Sequence, residues 1–304
     1  MKHALARAGV VILLCLSSLE IAVAQSQIQF DEELDFDRPE AWAMKYFASV
    51  SLFTGLGVPR NLPPGSVDLG LELDWVPSLS EAERTVGFNG TKEEDLNRTE
   101  FFVRPRLQVG LPKKFSLALS WVPPIEAFNV KPNLLSLAIG RPIASPGKWR
   151  FGLRVAGQYG KIQGDFTCTQ AEAAAGPDRD RNPFLCEAPS SDEIQVRSAS
   201  LELSGTRQIG KARPFEPYFS IAANLMDLEF QVDALYSGLV DRTRLLADGE
   251  TYYVTAGFQY LGWKRTQLGV ELFYTPLDVL RPPSTSTQTD GLFNARTFVS
   301  YTLR

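Results

Sequence analysis

The chain has 304 residues, 44% of them hydrophobic and 22% charged, with a formal net charge of −4. That balance disfavours a nucleic-acid partner, which calls for a basic face. The single histidine is His3, so nothing downstream can supply Ser-His-Asp, Cys-His or histidine-metal chemistry.

Residues 1–24 read as a cleaved secretory signal. Lys2, His3 and Arg7 make a positive start, Val10 to Leu16 is a short apolar run, and Ala22-Val23-Ala24 precedes Gln25 as a small-residue cleavage site. The run is shorter than the roughly 20 apolar residues a membrane-spanning helix needs. Cys15 follows Leu13-Leu14 rather than a small residue, so it leaves with the signal instead of carrying a lipid. Losing Lys2, Arg7 and Glu20 leaves 29 basic against 34 acidic residues. Cys168 and Cys186 remain, a pair suited to a disulfide in an oxidising compartment.

Residues 25–40 are acidic and aperiodic, an exposed N-terminal segment or a short extra strand near 28–36. Residues 41–57 admit two readings. Tyr46, Ala48, Val50 and Leu52 alternate with Phe47, Ser49, Ser51 and Phe53, which favours a first strand. The Ala-rich opening after Pro39-Glu40 would equally start a helix, packed inside a barrel as a plug.

From residue 67 the alternation is clear. Val67, Leu69, Leu71, Leu73 and Trp75 oppose Asp68, Gly70, Glu72 and Asp74. Residues 101–121 form a hairpin broken at Pro112-Lys113-Lys114, with Phe101, Val103, Leu107, Val109, Leu117, Leu119 and Trp121 on one wall. Strand side chains alternate between faces, so each arm has an apolar wall and a polar or small one. Each arm also has about the 9–11 residues that a tilted strand needs to cross a bilayer. Further strands follow at 134–140, 149–159, 193–207, 215–232, 251–260, 267–275 and 292–303. Short breaks (112–114, 142–147, 208–213, 261–265) alternate with long ones (123–132, 161–191, 233–249, 276–290). Trp75, Trp121, Trp149, Tyr159, Tyr260, Trp263 and Tyr274 fall near strand ends, as interfacial aromatics do.

This design resembles the outer-membrane β-barrels of Gram-negative bacteria, of the porin-like or small transport kind. The last strand, NARTFVSYTLR, is similar to their C-terminal assembly signal, with Arg304 where a terminal aromatic is usual. The resemblance implies an all-β fold: an antiparallel transmembrane β-barrel of about 10–12 strands at 41–304, with short periplasmic turns and long external loops. It also implies outer-membrane lipid and, through the C-terminal strand, the barrel assembly machinery as partners. Ten strands arise if 41–57 is a plug, twelve if it pairs with 28–36.

The alternation assigns Asp68, Glu72, Asp74, Arg104, Arg106, Arg150, Arg154, Arg197, Glu271 and Arg296 to the lumen. Opposed acidic and basic walls would orient a small solute in a polar pore. Alternatively, ion pairs would bridge and close the interior. Small wall residues such as Gly110, Ser116, Ala118, Gly152 and Ala156 leave space and favour passage. The expected function is passive movement of small solutes through a charge-lined lumen. The alternative is a closed structural or surface-interaction barrel working through its loops. A hydrophobic-ligand gate remains open should 41–57 be a plug. No catalytic residue, metal site or cofactor is expected.

Overall fold

The computed structural model describes residues 26–209 and 215–303; the signal sequence expected at 1–24 lies outside them. Ten strands form the wall: β1 (Val67–Trp75), β2 (Phe101–Gly110), β3 (Ser116–Val122), β4 (Val130–Ala144), β5 (Trp149–Gly164), β6 (Asp192–Arg207), β7 (Phe215–Gln231), β8 (Arg244–Tyr260), β9 (Thr266–Thr275) and β10 (Leu292–Thr302). Each pairs antiparallel with the next, and β10 returns to β1 with Arg296 opposite Asp74 and Val299 opposite Leu71. The sheet therefore has no open edge. The strand number is ten.

Outward positions are apolar and exposed: Leu69, Leu71, Leu73 and Trp75 on β1, Leu135, Leu137 and Ile139 on β4, Leu201 and Leu203 on β6. Inward positions between them are polar and buried, as at Asp68, Glu72 and Asp74. A continuous apolar exterior of this extent is stable in lipid and not in water. No helix among the described residues is long and apolar enough to cross a membrane; the strands do the crossing. The protein is an outer-membrane β-barrel. Its short turns, one of them the 3-10 turn Pro112–Lys114, gather at one end, which by the usual asymmetry is periplasmic.

Three strands are several residues longer than the alternation predicts. β4 starts at Val130, β5 runs to Gly164 and β8 starts at Arg244, beyond the expected limits of 134, 159 and 251. Above the lipid the outward positions become charged, as at Lys161, Glu193, Asp227 and Glu250. The apolar signal stops there while the hydrogen-bonded ladder continues.

The N-terminal segment departs most from expectation. Short strands at Ser26–Ile28 and Asp31–Glu33 pair in parallel with Leu239–Asp241 and with the start of β8, at the extracellular end. Helix α1 (Pro39–Val50) follows, with Pro39 in its first turn. Residues 46–54 are thus no wall strand, and 28–36 is not its partner. The apparent two-residue period arose because α1 is buried almost all round. Ala41, Met44 and Ala48 meet Val122, Leu134, Ile162, Val196, Leu228 and Ala247, the inward side chains at the outer strand ends. Trp42, Tyr46 and Val50 meet Ala222, Tyr253, Phe273 and Leu277. The lumen wall is apolar where it grips this helix.

Beyond α1 the chain runs through the lumen to the periplasmic end. There Gly65 N–H donates to Gly110 O (2.8 Å) and Gly110 N–H to Ser66 O (2.9 Å), just before β1 begins.

Candidate functional site: the threaded lumen

Residues 51–60 have no ladder partners, so their peptide groups need side chains from the wall. A buried peptide group without a partner is costly, and a hydrogen bond to a charged group is worth about 1.5–3 kcal/mol. The inward arginines meet this need. Arg104 Nη2 donates to Ser51 O, Arg296 Nη1 to Leu52 O (3.2 Å), Arg106 Nη2 to Thr54 O (2.8 Å) and Arg154 Nη2 to Gly57 O (3.0 Å). Gln259 donates to Leu56 O. Guanidinium suits the task because its several donors can serve a carbonyl and a carboxylate together.

Carboxylates complete the contacts of Arg106, Arg154 and Arg296, whereas Arg104 has only Gln158 beside it, at 3.5 Å. Arg106 Nε pairs with Glu72 at 2.6 Å and Arg154 with Glu202. Glu202 in turn accepts from Gly55 N–H (3.1 Å) and the Tyr253 hydroxyl (3.1 Å). Thr54 Oγ1 accepts from Arg296 (2.8 Å) and donates to Glu271 (2.9 Å), which also accepts from Tyr218 (3.1 Å). Arg296, fully buried, lies 3.8 Å from Asp74 and 3.9 Å from Glu72 and Glu271. Nearer the periplasm, Arg60 joins the segment to Asp68 (2.9 Å) and Gln267 (2.6 Å).

Nine of the ten charged residues assigned to the lumen face it. Arg150 sits toward the short-turn end, half-buried against Glu216 at 2.5 Å. Arg197 does not face inward. It is exposed and pairs with exposed Asp227 at 3.0 Å. Arg197 shares its parity with Leu201 and Leu203, which point out, so the alternation carried one strand further places it outside. The same parity puts Glu202 inside. Glu202, Arg60 and the two buried tyrosines were missed; the first was legible, whereas the others' roles depend on the threaded segment.

The small wall residues do leave space, and the segment fills it. A Cβ on Gly152 would stand 2.5 Å from Pro59 Cδ, and one on Gly140 2.9 Å from Pro59 Cγ. What remains beside the segment is a cavity of about 50 Å³ between Arg60, Asp68, Arg106 and Gln267, and one of about 20 Å³ near Thr54 and Arg154. Each has room for only a few waters.

Above the lumen, loops 76–100, 165–191 and 276–291 fold over α1. Trp42 Nε1 donates to Asp290 O (3.2 Å) and Lys45 Nζ to Asp278 O (2.7 Å). Cys168 and Cys186 are bonded and pack with Val232 and Ala234. Lys92, buried, lies 2.8 Å from Glu94. Burial nonetheless pushes the Glu94 carboxyl up to about 8, Lys92 opposing but not cancelling the loss of hydration. An apolar cavity of about 60 Å³ lies between Met44, Phe47, Leu96, Phe166, Ile194 and Phe230, with Glu40 and Glu94 at its edge.

No protein-family model and no curated protein matches the sequence. The fold is similar to solved outer-membrane barrels at low identity. An outer-membrane channel from Pseudomonas putida F1 aligns at 9% identity and TM-score 0.46, covering 83% of this chain and 100% of that one. The Pseudomonas putida toluene transporter TodX aligns at 10% identity and TM-score 0.35, covering 84% and 95%. The outer membrane protease OmpT from Escherichia coli aligns at 9% identity and TM-score 0.34, covering 79% and 94%.

Proposed function

We propose that the protein is a closed outer-membrane barrel that acts at the cell surface, through the cap built by α1 and the long loops, and not as an open diffusion pore. The observation that carries this reading is the segment 51–66, which runs the length of the lumen with its carbonyls held by Arg104, Arg296, Arg106 and Arg154. The charges that would select a solute are engaged in holding protein. The cap, by contrast, is elaborate, with a disulfide, a buried helix and two N-terminal strands at the rim. It works by recognition, with no covalent catalysis assigned to it.

Single-channel recording of the refolded full chain in a planar bilayer tests this. The expected result is a silent bilayer from protein shown to be folded by its heat-modifiable gel mobility. A steady, ion-selective conductance that changes in Arg106→Ala would instead establish the charge-lined pore.

A second reading, a gate for small apolar ligands, is favoured by the apolar cavity against α1 and by the absence of ladder bonds between the wall and residues 41–57. On that reading Met44→Trp, which fills the cavity, abolishes binding of a small apolar fluorophore by the folded protein. Unchanged binding rejects it.

A further inference from the structure

The two ends of the barrel treat outward-facing charge differently. At the extracellular end two outward basic groups have carboxylate partners, Lys161 with Glu193 at 2.6 Å and Arg197 with Asp227 at 3.0 Å, while exposed Lys131 has none. At the short-turn end Lys113, Lys114, Arg141, Lys148 and Arg207 are all exposed. Among the described residues no exposed carboxylate lies on that rim, and neither Arg141 nor Arg207 has an acidic partner. Both lie over aromatic rings, Arg141 5.3 Å from the Phe115 centroid and Arg207 5.8 Å from that of Trp149. Trp149 stacks on Phe151 at 6.1 Å, and exposed Leu153 and Val155 continue the same face toward the membrane centre.

We propose that this rim, over β3 to β6, binds anionic phospholipid of the inner leaflet of the outer membrane. The occupant follows from the chemistry. An unpaired guanidinium at the edge of an apolar belt meets lipid headgroups, and its planar fork matches a phosphate. The rings beneath fix each fork at interfacial depth, and the leucine and valine below give an acyl chain a face to follow. Clustered basic groups beside a bilayer are attracted to anionic lipid and indifferent to zwitterionic lipid. Each arginine contributes about fivefold to that preference.

Native mass spectrometry of the detergent-solubilised full chain reads the preference directly. Phosphatidylglycerol and phosphatidylcholine with identical acyl chains are titrated in competition. The wild-type protein retains phosphatidylglycerol preferentially. Arg141→Ala with Arg207→Ala lowers the preference by about 25-fold, the paired lysine variants keep most of it, and Arg197→Ala at the opposite rim leaves it unchanged. Each variant is first checked for heat-modifiable mobility, and Arg207→Gln alone, about fivefold, serves if the double variant fails to fold. Equal retention of the two lipids by the wild type, or full preference in the folded alanine variants, overturns the proposal. So does tighter retention of lipid A than of phosphatidylglycerol by the same arginines, since that lipid belongs to the other leaflet.

Discussion

Arg154 and Arg197 are one residue type on neighbouring strands of one wall, yet they have opposite energetic meanings. Arg154 is buried against Glu202 and Gly57 O. Removing it leaves a carboxylate and a carbonyl with no cation in a site closed to water. Breaking a buried pair in this way costs about 3–5 kcal/mol. Arg154→Ala should therefore lower the unfolding free energy by that amount in denaturant titrations in detergent, whereas Arg197→Ala should move it by less than about 0.5 kcal/mol. Equal effects would mean that the segment is not held as described. Glu94 makes a second prediction. Its pKa in the folded cap is about 8, against an ordinary 4.5. Between those values the unfolded chain has released its proton and the folded chain has not. The contribution of Glu94 to cap stability is therefore greatest below pH 4.5 and is lost as pH rises toward 8. Protease resistance of loop 76–100 should fall across that range in the wild type and stay flat in Glu94→Gln.

The cap and the wall are separable elements. The disulfide joins positions 18 apart in a loop that does not contribute to the barrel ladder. In the chain-entropy model it is worth about 3 kcal/mol. Cys168→Ser with Cys186→Ser should speed hydrogen exchange in residues 165–191 and leave exchange in β5 and β6 unchanged; loss of the wall as well would show that the cap is part of the barrel's stability. The elements also differ in how legible they were. Strands such as Val67–Trp75 could be read because lipid outside and polar groups inside impose a period of two. α1 could be read only as one of two alternatives, because a helix enclosed on nearly every side has no polar face to reveal its period. Met44, Lys45 and Tyr46 are all buried. The lumen charges from Asp68 to Arg296 were assigned by parity alone, and parity is local. Nine of them face the lumen and Arg197 does not, and parity was silent on what they would hold, because the partners of Arg104 and Arg106 are carbonyls some 50 residues away.

For the molecule as a whole, the path of residues 26–66 sets the topology. Ser26–Ile28 lies at the extracellular rim and Val67 starts at the periplasmic end, so the N-terminal portion crosses the membrane inside the protein's own wall. A thiol at Ser26→Cys should react with a membrane-impermeant maleimide on intact cells. Labelling only after permeabilisation would refute the path. Assembly is constrained as well. A loop of chain cannot easily be pushed through a sealed cylinder whose remaining spaces hold a few waters. On that ground residues 51–60 are expected to lie in place while the sheet is still an open, curled ribbon. The β10–β1 register, which brings Arg296 against Asp74 and Glu72, would then be the last to form. The finished protein is a cord enclosed by a ring tied from the same cord, and the ring's own side chains hold the cord in place.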